Sequence, residues 1–86
     1  MKPESIRLFI KPGCPWCDDA LEWFASRGIA HETLDVTRDA EARAEMFELT
    51  GQTRAPSVDV DGEILADFGN DELEAWWREN GFEPRP

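Results

Sequence analysis

Several things are scarce in this 86-residue chain, and each scarcity narrows what it can be. No apolar run approaches the roughly 20 residues a helix needs to cross a bilayer, so no membrane association is expected. Nine Lys and Arg stand against 19 Asp and Glu, a formal net charge of -10. Phosphate backbones are held by an excess of cations, so nucleic acid is not an expected partner. The opening stretch MKPESIRLFI has neither the apolar core nor the small-residue cleavage site of a secretory signal, and a cytoplasmic location is the default expectation. Two cysteines are too few for the disulfide framework of a small secreted domain.

What is present is ordinary for a folded protein. Apolar residues make up 41% of the chain, which argues against disorder despite the charge. The length allows one modest core, so residues 1–86 are expected to form one domain, with the tail GFEPRP (81–86) frayed. Ile6, Leu8 and Ile10 alternate with Arg7 and Phe9, a strand pattern broken by Pro12 and Gly13. Cys17, Ala20, Leu21, Phe24 and Ala25 then recur at the spacing of one buried helix face, with Gly28 as the stop. Residues 31–36 read as a second strand. Residues 39–50 read as a second helix with Ala42, Met46 and Leu49 inward, closed by Gly51. Two short strands flank Asp61-Gly62, a strong hairpin signal. Asn70 is the expected N-cap of a last helix whose apolar stripe is Leu73, Trp76 and Trp77, with Asp71 and Glu72 suited to its first turn. The order is βαβαββα: an α/β fold with a four-stranded mixed sheet and three helices covering both faces.

Both cysteines lie in one stretch, IKPGCPWCDDALEWF, where the first strand gives way to the first helix. A bridge between Cys14 and Cys17 would close a very small loop and add little stability through chain entropy. The pair is poorly placed as a staple, which points to chemistry. Cys14 falls just before the first helical turn, where backbone N–H groups lack internal partners and the peptide dipoles place partial positive charge. Those groups favour a thiolate there, and the thiolate is the nucleophile. Cys17, one turn on and facing the core, is positioned to resolve a mixed disulfide. Pro15 suits the first helical position. Lys11 favours the thiolate, whereas Asp18 and Asp19 oppose it. Other readings stay open: two buried structural cysteines, or half a zinc site with His31 as the one further soft ligand. No metal ligand set is expected.

KPGCPWC after an apolar strand, APSV about forty residues later before a hairpin, and FGNDEL opening the last helix together resemble the glutaredoxin family. The resemblance runs from Ile6 to Trp77 and implies a thioredoxin-like fold and a thiol-disulfide oxidoreductase. It implies that Cys14 is the nucleophile and Cys17 the resolving thiol. It implies a cis bond before Pro56, with the backbone of Ala55 pairing with a bound peptide like an added strand. Glutathione is the implied reducing co-substrate, with no permanently bound cofactor. Its glycine carboxylate would meet Lys11, with help from Arg43. Its γ-glutamyl end would meet Gly69, Asn70 and Asp71, and Trp16 would wall the site.

The chain also departs from the family pattern. Arg54-Ala55-Pro56 stands where Thr-Val-Pro is usual, and Phe68-Gly69 where Gly-Gly is usual. Phe68 is expected to narrow the γ-glutamyl pocket. Arg54 is either a carboxylate partner or a solvated surface residue. Trp23, Trp76 and Trp77 are expected to cover core and surface seams. The expected partners are glutathione and disulfide-containing or glutathionylated proteins, met by a monomer. A thioredoxin-reductase-coupled donor is the alternative. A dimeric iron–sulfur carrier is a third reading, opposed by Pro15 and Cys17. A redox-inert interaction module is a fourth.

Overall fold

The computed structural model describes residues 3–82. Four strands form one mixed sheet in the order β2-β1-β3-β4, from β1 (Ile6–Ile10), β2 (Glu32–Asp35), β3 (Ser57–Val60) and β4 (Glu63–Ala66). β1 pairs in parallel with β2 through Leu8 opposite Thr33, and antiparallel with β3 through Leu8 opposite Val58. β3 and β4 are the predicted hairpin. Asp61 and Gly62 both take positive φ, 51° and 95°, as a two-residue turn matched to strand twist requires. The helices are α1 (Pro15–Ser26), α2 (Ala40–Thr50) and α3 (Asn70–Glu79).

Strand alternation sends successive side chains of β1 to opposite faces of the sheet. On one face Ile6 and Leu8 join Val58 and Val60 beneath Ala20, Trp23 and Phe24 of α1 and Leu73 and Trp77 of α3. On the other, Phe9 packs with Val36 and with Ala42 and Met46 of α2. The first layer is knit by aromatic rings. Trp77 stands edge-on to Trp23 at 5.5 Å, to Phe24 at 5.8 Å and to Phe82 at 5.0 Å.

Five expectations need correction. Ala25 is exposed and Trp23 is buried in its place, because α3 approaches α1 from the Trp23 side and widens the buried stripe that way. Leu49 is exposed, because the buried cluster on its face ends at Met46, one turn earlier. Phe68 is 1% exposed within the core, so it faces away from any γ-glutamyl pocket. The N-cap of α3 is Gly69 and not Asn70, because the Asn70 side chain is turned to the Asp19 carbonyl and the cap's polar bond comes from Glu72. Of the expected frayed tail, Gly81 turns the chain with a φ of 67° and Phe82 is buried against Trp77. The remainder, 83–86, lies outside the described residues.

Candidate active site

The site grows from the seam between β1 and α1. β1 ends at Ile10, and the chain turns through Gly13, whose φ of +78° an L side chain rarely adopts. It enters α1 with Cys14 as the N-cap in an extended conformation. The Cys14 carbonyl accepts the first helical bond, from the Asp18 N–H at 3.1 Å, and Pro15 takes the first helical position. Cys14 is half-buried, while Cys17 is 1% exposed under the first turn. The backbone N–H of Lys11 points at the Cys17 sulfur, 3.5 Å away. Burial pushes the Cys17 thiol up to about 11; its hydrogen bond to Cys14 adds to this, and the Lys11 N–H opposes it. One sulfur is thus accessible at a helix N-terminus, and beneath it lies a second that holds its proton at neutral pH.

Beside Cys14, the ring of Trp16 is 57% exposed and lies against the start of α3. A Cβ on Gly69 would sit 2.6 Å from that ring, so a side chain there would push the exposed ring aside. Glycine at the cap position leaves the ring where it lies. The polar half of the cap comes instead from Glu72, which reaches back to the Gly69 N–H at 3.4 Å. Asn70, displaced into the first turn, donates from Nδ2 to the Asp19 carbonyl at 3.1 Å and ties α3 to α1. Trp16, Gly69, Asn70 and Asp71 therefore share one cleft of about 460 Å³. Asp19 and Glu72 line it too, and sequence reasoning missed both as site residues. The signal existed: each follows a predicted site residue by three positions, Asp19 after Trp16 and Glu72 after Gly69, which on a helix means the same face.

The remaining predicted residues are more scattered. The Ala55–Pro56 bond is cis, and Pro56 is buried directly before β3. Arg54 is exposed but bound, its Nη1 lying 3.1 Å from the Asp67 carboxylate. Arg43 sits on the outer side of α2, in a separate shallow groove with Ala44, Phe47 and Thr53. His31 is half-buried against Phe24, its Nδ1 within 3.1 Å of the Ile29 carbonyl. Among the described residues no three His, Cys, Asp or Glu side chains are grouped to hold a metal ion, and no helix is long and apolar enough to cross a membrane.

Comparison with known proteins agrees with this geometry. The glutaredoxin family model matches residues 6–65. A glutaredoxin-like 8.6 kDa protein from the rubredoxin operon of Clostridium pasteurianum is 32% identical over 80% of this chain and 92% of its own. Glutaredoxin 3 of Escherichia coli is 28% identical over 93% of this chain and 94% of its own. Among solved structures, the thioredoxin-like protein BC3987 superposes with a TM-score of 0.76 at 31% identity, over 83% of this chain and 97% of that one. Two others share the fold at lower identity. One is a buckwheat glutaredoxin–glutathione complex (TM-score 0.68, 22% identity, 87% of this chain and 69% of that one). The other is the glutaredoxin-like NrdH-redoxin of E. coli (0.69, 24%, 83% and 92%). With a buried and an accessible cysteine at the head of α1 and a sheet of this topology, the chain belongs to the glutaredoxin family of thioredoxin-like thiol oxidoreductases.

Proposed function

We propose that this protein is a glutathione-coupled dithiol oxidoreductase that reduces protein disulfides or glutathione mixed disulfides. The observation that carries the reading is the asymmetry of the sulfurs: Cys14 is reachable at a helix N-terminus, and Cys17 is sealed beneath it as a thiol. The Cys14 thiolate attacks one sulfur of the partner disulfide. A Cys14–partner bond forms, the old S–S bond breaks, and the leaving sulfur departs with the electron pair and takes up a proton. Cys17 then attacks Cys14, losing its proton to the second departing thiolate, and the Cys14–Cys17 disulfide remains. Two glutathione molecules restore the dithiol and leave as glutathione disulfide. Burial of Cys17 keeps it from competing as the first nucleophile, because at neutral pH almost none of it is thiolate.

Glutathione would lie between Cys14 and the N-terminus of α3. Its γ-glutamyl carboxylate would approach the N–H groups of the first turn at Asn70 and Asp71, beside Gly69, whose own N–H is taken by Glu72, a position helix N-termini favour for anions. Lys11 would take the glycine carboxylate, Trp16 would cover one side, and the Ala55 backbone before Pro56 would pair with the peptide. Arg54 and Arg43 contribute charge at longer reach. The buckwheat structure, a glutaredoxin–glutathione complex of the same fold, is consistent with glutathione as the co-substrate.

A specific feature favours a second reading. Three carboxylates, Asp19, Asp71 and Glu72, line the cleft that would receive an anionic tripeptide. They favour a cationic or neutral visitor, and with it thioredoxin reductase as the electron donor. The NrdH-redoxin, described as having a thioredoxin-like activity profile, shares this fold. Two NADPH-coupled assays on a glutathione mixed disulfide separate the readings. Activity with glutathione and glutathione reductase, lost in Cys14→Ser, is the expected result. Activity with thioredoxin reductase alone would transfer the assignment to the second reading.

A further inference from the structure

Behind the Trp16 cleft, α1 and α3 leave a second groove of about 310 Å³, lined by Glu22, Trp23, Ser26, Arg27, Asn70, Asp71 and Glu74. The two depressions share Asn70 and Asp71, so they run into one another. Three buried side-chain polar atoms of the described residues have no hydrogen-bond partner: Trp23 Nε1, Arg27 Nε and Asn70 Oδ1. All three belong to residues lining this groove. Trp23 is only 4% exposed, so its indole N–H lies sealed behind the wall and an occupant meets it only by displacing side chains packed over it, the Arg27 guanidinium stacked on its ring among them. Buried donors and acceptors without partners are uncommon, because each forfeits its hydration for nothing in return. Their concentration in one groove points to an occupant.

The lining specifies the occupant's chemistry. Trp23 and Arg27 offer N–H groups and call for a carbonyl oxygen, while Asn70 Oδ1 calls for an N–H. Three carboxylates face one guanidinium, and that guanidinium is already engaged: Arg27 Nη2 meets Glu74 at 2.9 Å and its central carbon lies 4.3 Å over the Trp23 ring. Glu22 and Asp71 remain to attract positive charge. A phosphate would be repelled by them, and a polyamine would bring no carbonyl to the indole. A polypeptide with a lysine or arginine supplies all three elements.

We propose that the α1–α3 groove docks a basic segment of the protein substrate, with a backbone carbonyl on Trp23 Nε1, a backbone N–H on Asn70 Oδ1 and the cationic side chain between Glu22 and Asp71. This rests on the reading that Cys14 attacks a disulfide in a polypeptide. Glu22 follows Cys14 by eight residues, about 12 Å along the helix at 1.5 Å per residue. An extended peptide covers that in about four residues. The preferred substrate therefore carries its arginine or lysine about four positions from the cysteine under attack.

The test uses short peptides, each with one glutathionylated cysteine and an arginine about four positions away on either side, and matched peptides with glutamate in that place. In 15N spectra of the full-length Cys14→Ser protein, which binds without turning over, an arginine peptide is expected to shift the Trp23 indole N–H downfield, and its glutamate counterpart is not. In steady-state assays of the active protein, Glu22→Gln is expected to raise KM for that arginine peptide about three- to fivefold, with kcat and turnover of a small mixed disulfide unchanged. Glu63→Gln, on the distant hairpin, carries the same charge change and is expected to leave KM alone. An indole signal that stays still, or moves equally with both peptides, overturns the proposal and leaves the groove to hydrating water. So does an equal KM change in the two glutamate variants, which would reduce the effect to overall charge. Peptide binding with no reduction of any peptide would overturn the catalytic reading while the docking groove stood.

Discussion

The two faces of the sheet are built to different depths. The α1–α3 face buries a dozen residues, Trp23, Phe24, Phe68, Trp77 and Phe82 among them, and its rings meet edge to face. The α2 face buries four: Phe9, Val36, Ala42 and Met46. Beyond them Phe47 stays 54% exposed and Leu49 39%. The two sulfurs and the cleft beside them sit on the deep face or at its rim: Cys17 under α1, Trp16 against Gly69, and Asn70 tied to Asp19. Rigid packing there holds two sulfurs and a helix N-terminus in register, whereas the thin face has only a helix to cover. Where a fold invests its aromatic area shows which geometry it must keep.

The largest test removes a ring from the deep face. Trp77 is fully buried and meets four other rings, so Trp77→Ala is expected to cost about 3–5 kcal/mol. In a domain of this size that lowers Tm by more than about 12 °C in a thermal melt. On the thin face, Met46→Ala is expected to cost about 2 kcal/mol, and the exposed Phe47→Ala less than about 0.5. Equal losses at Trp77 and Met46 would break the comparison.

A smaller effect reads the deep face through pH. Cys17 ionises near 9.0 when free and is pushed up to about 11 by burial, so the folded state holds its proton over a range where the unfolded chain releases it. Its contribution is fully present below about pH 9 and is lost as pH rises through about 11, because there the native state binds more protons. The stability lost across that range is about 2–3 kcal/mol. Urea melts between pH 8 and 11 are expected to show this slope in the reduced protein and not in Cys17→Ala. At pH 7.5, limiting iodoacetamide is expected to modify Cys14 alone.

Much of this asymmetry was legible in the sequence, and the exceptions share a cause. The element order, the Asp61-Gly62 hairpin and the two faces of β1 follow from local periodicity and turn chemistry, which need no partner to be read. Cys14 and Cys17 were legible for the same reason, as a motif at a strand-to-helix seam. What failed depended on a neighbour distant in sequence. Ala25 and Trp23 lie at nearly symmetrical angles on the flanks of the same stripe, and only the arrival of Trp77 decides between them. Asn70 has the better intrinsic capping side chain, yet it is drawn to the Asp19 carbonyl on α1, and Gly69 beneath the Trp16 ring takes the cap. Phe68 looked like a pocket wall because of its place in a motif, and it turned inward. Arg54 gave no hint of Asp67, thirteen residues on, across the hairpin.

The smallest effect belongs to the thin face and has the opposite sign in pH. Arg7 projects from β1 toward α2, where its guanidinium grips both oxygens of Glu45, with Asp59 at 3.7 Å. The Arg7 hydrogen bond holds the Glu45 carboxyl below its usual range. A carboxylate depressed in the folded state contributes stability above its unfolded pKa, and that contribution fades as pH falls through the folded value. Glu45 is 42% exposed, so water and salt screen the pair to less than about 1 kcal/mol. Glu45→Gln is expected to lower stability slightly at pH 7 and to converge with the parent protein as acid protonates Glu45 in the folded state. The gap is expected to shrink in 1 M salt, where the Debye length is about 3 Å. The alkaline slope from Cys17 is expected to ignore salt, since desolvation and not a distant charge sets it. If the two slopes responded alike to salt, the thin face would be as well sealed as the deep one, and the contrast between them would lose its electrostatic half.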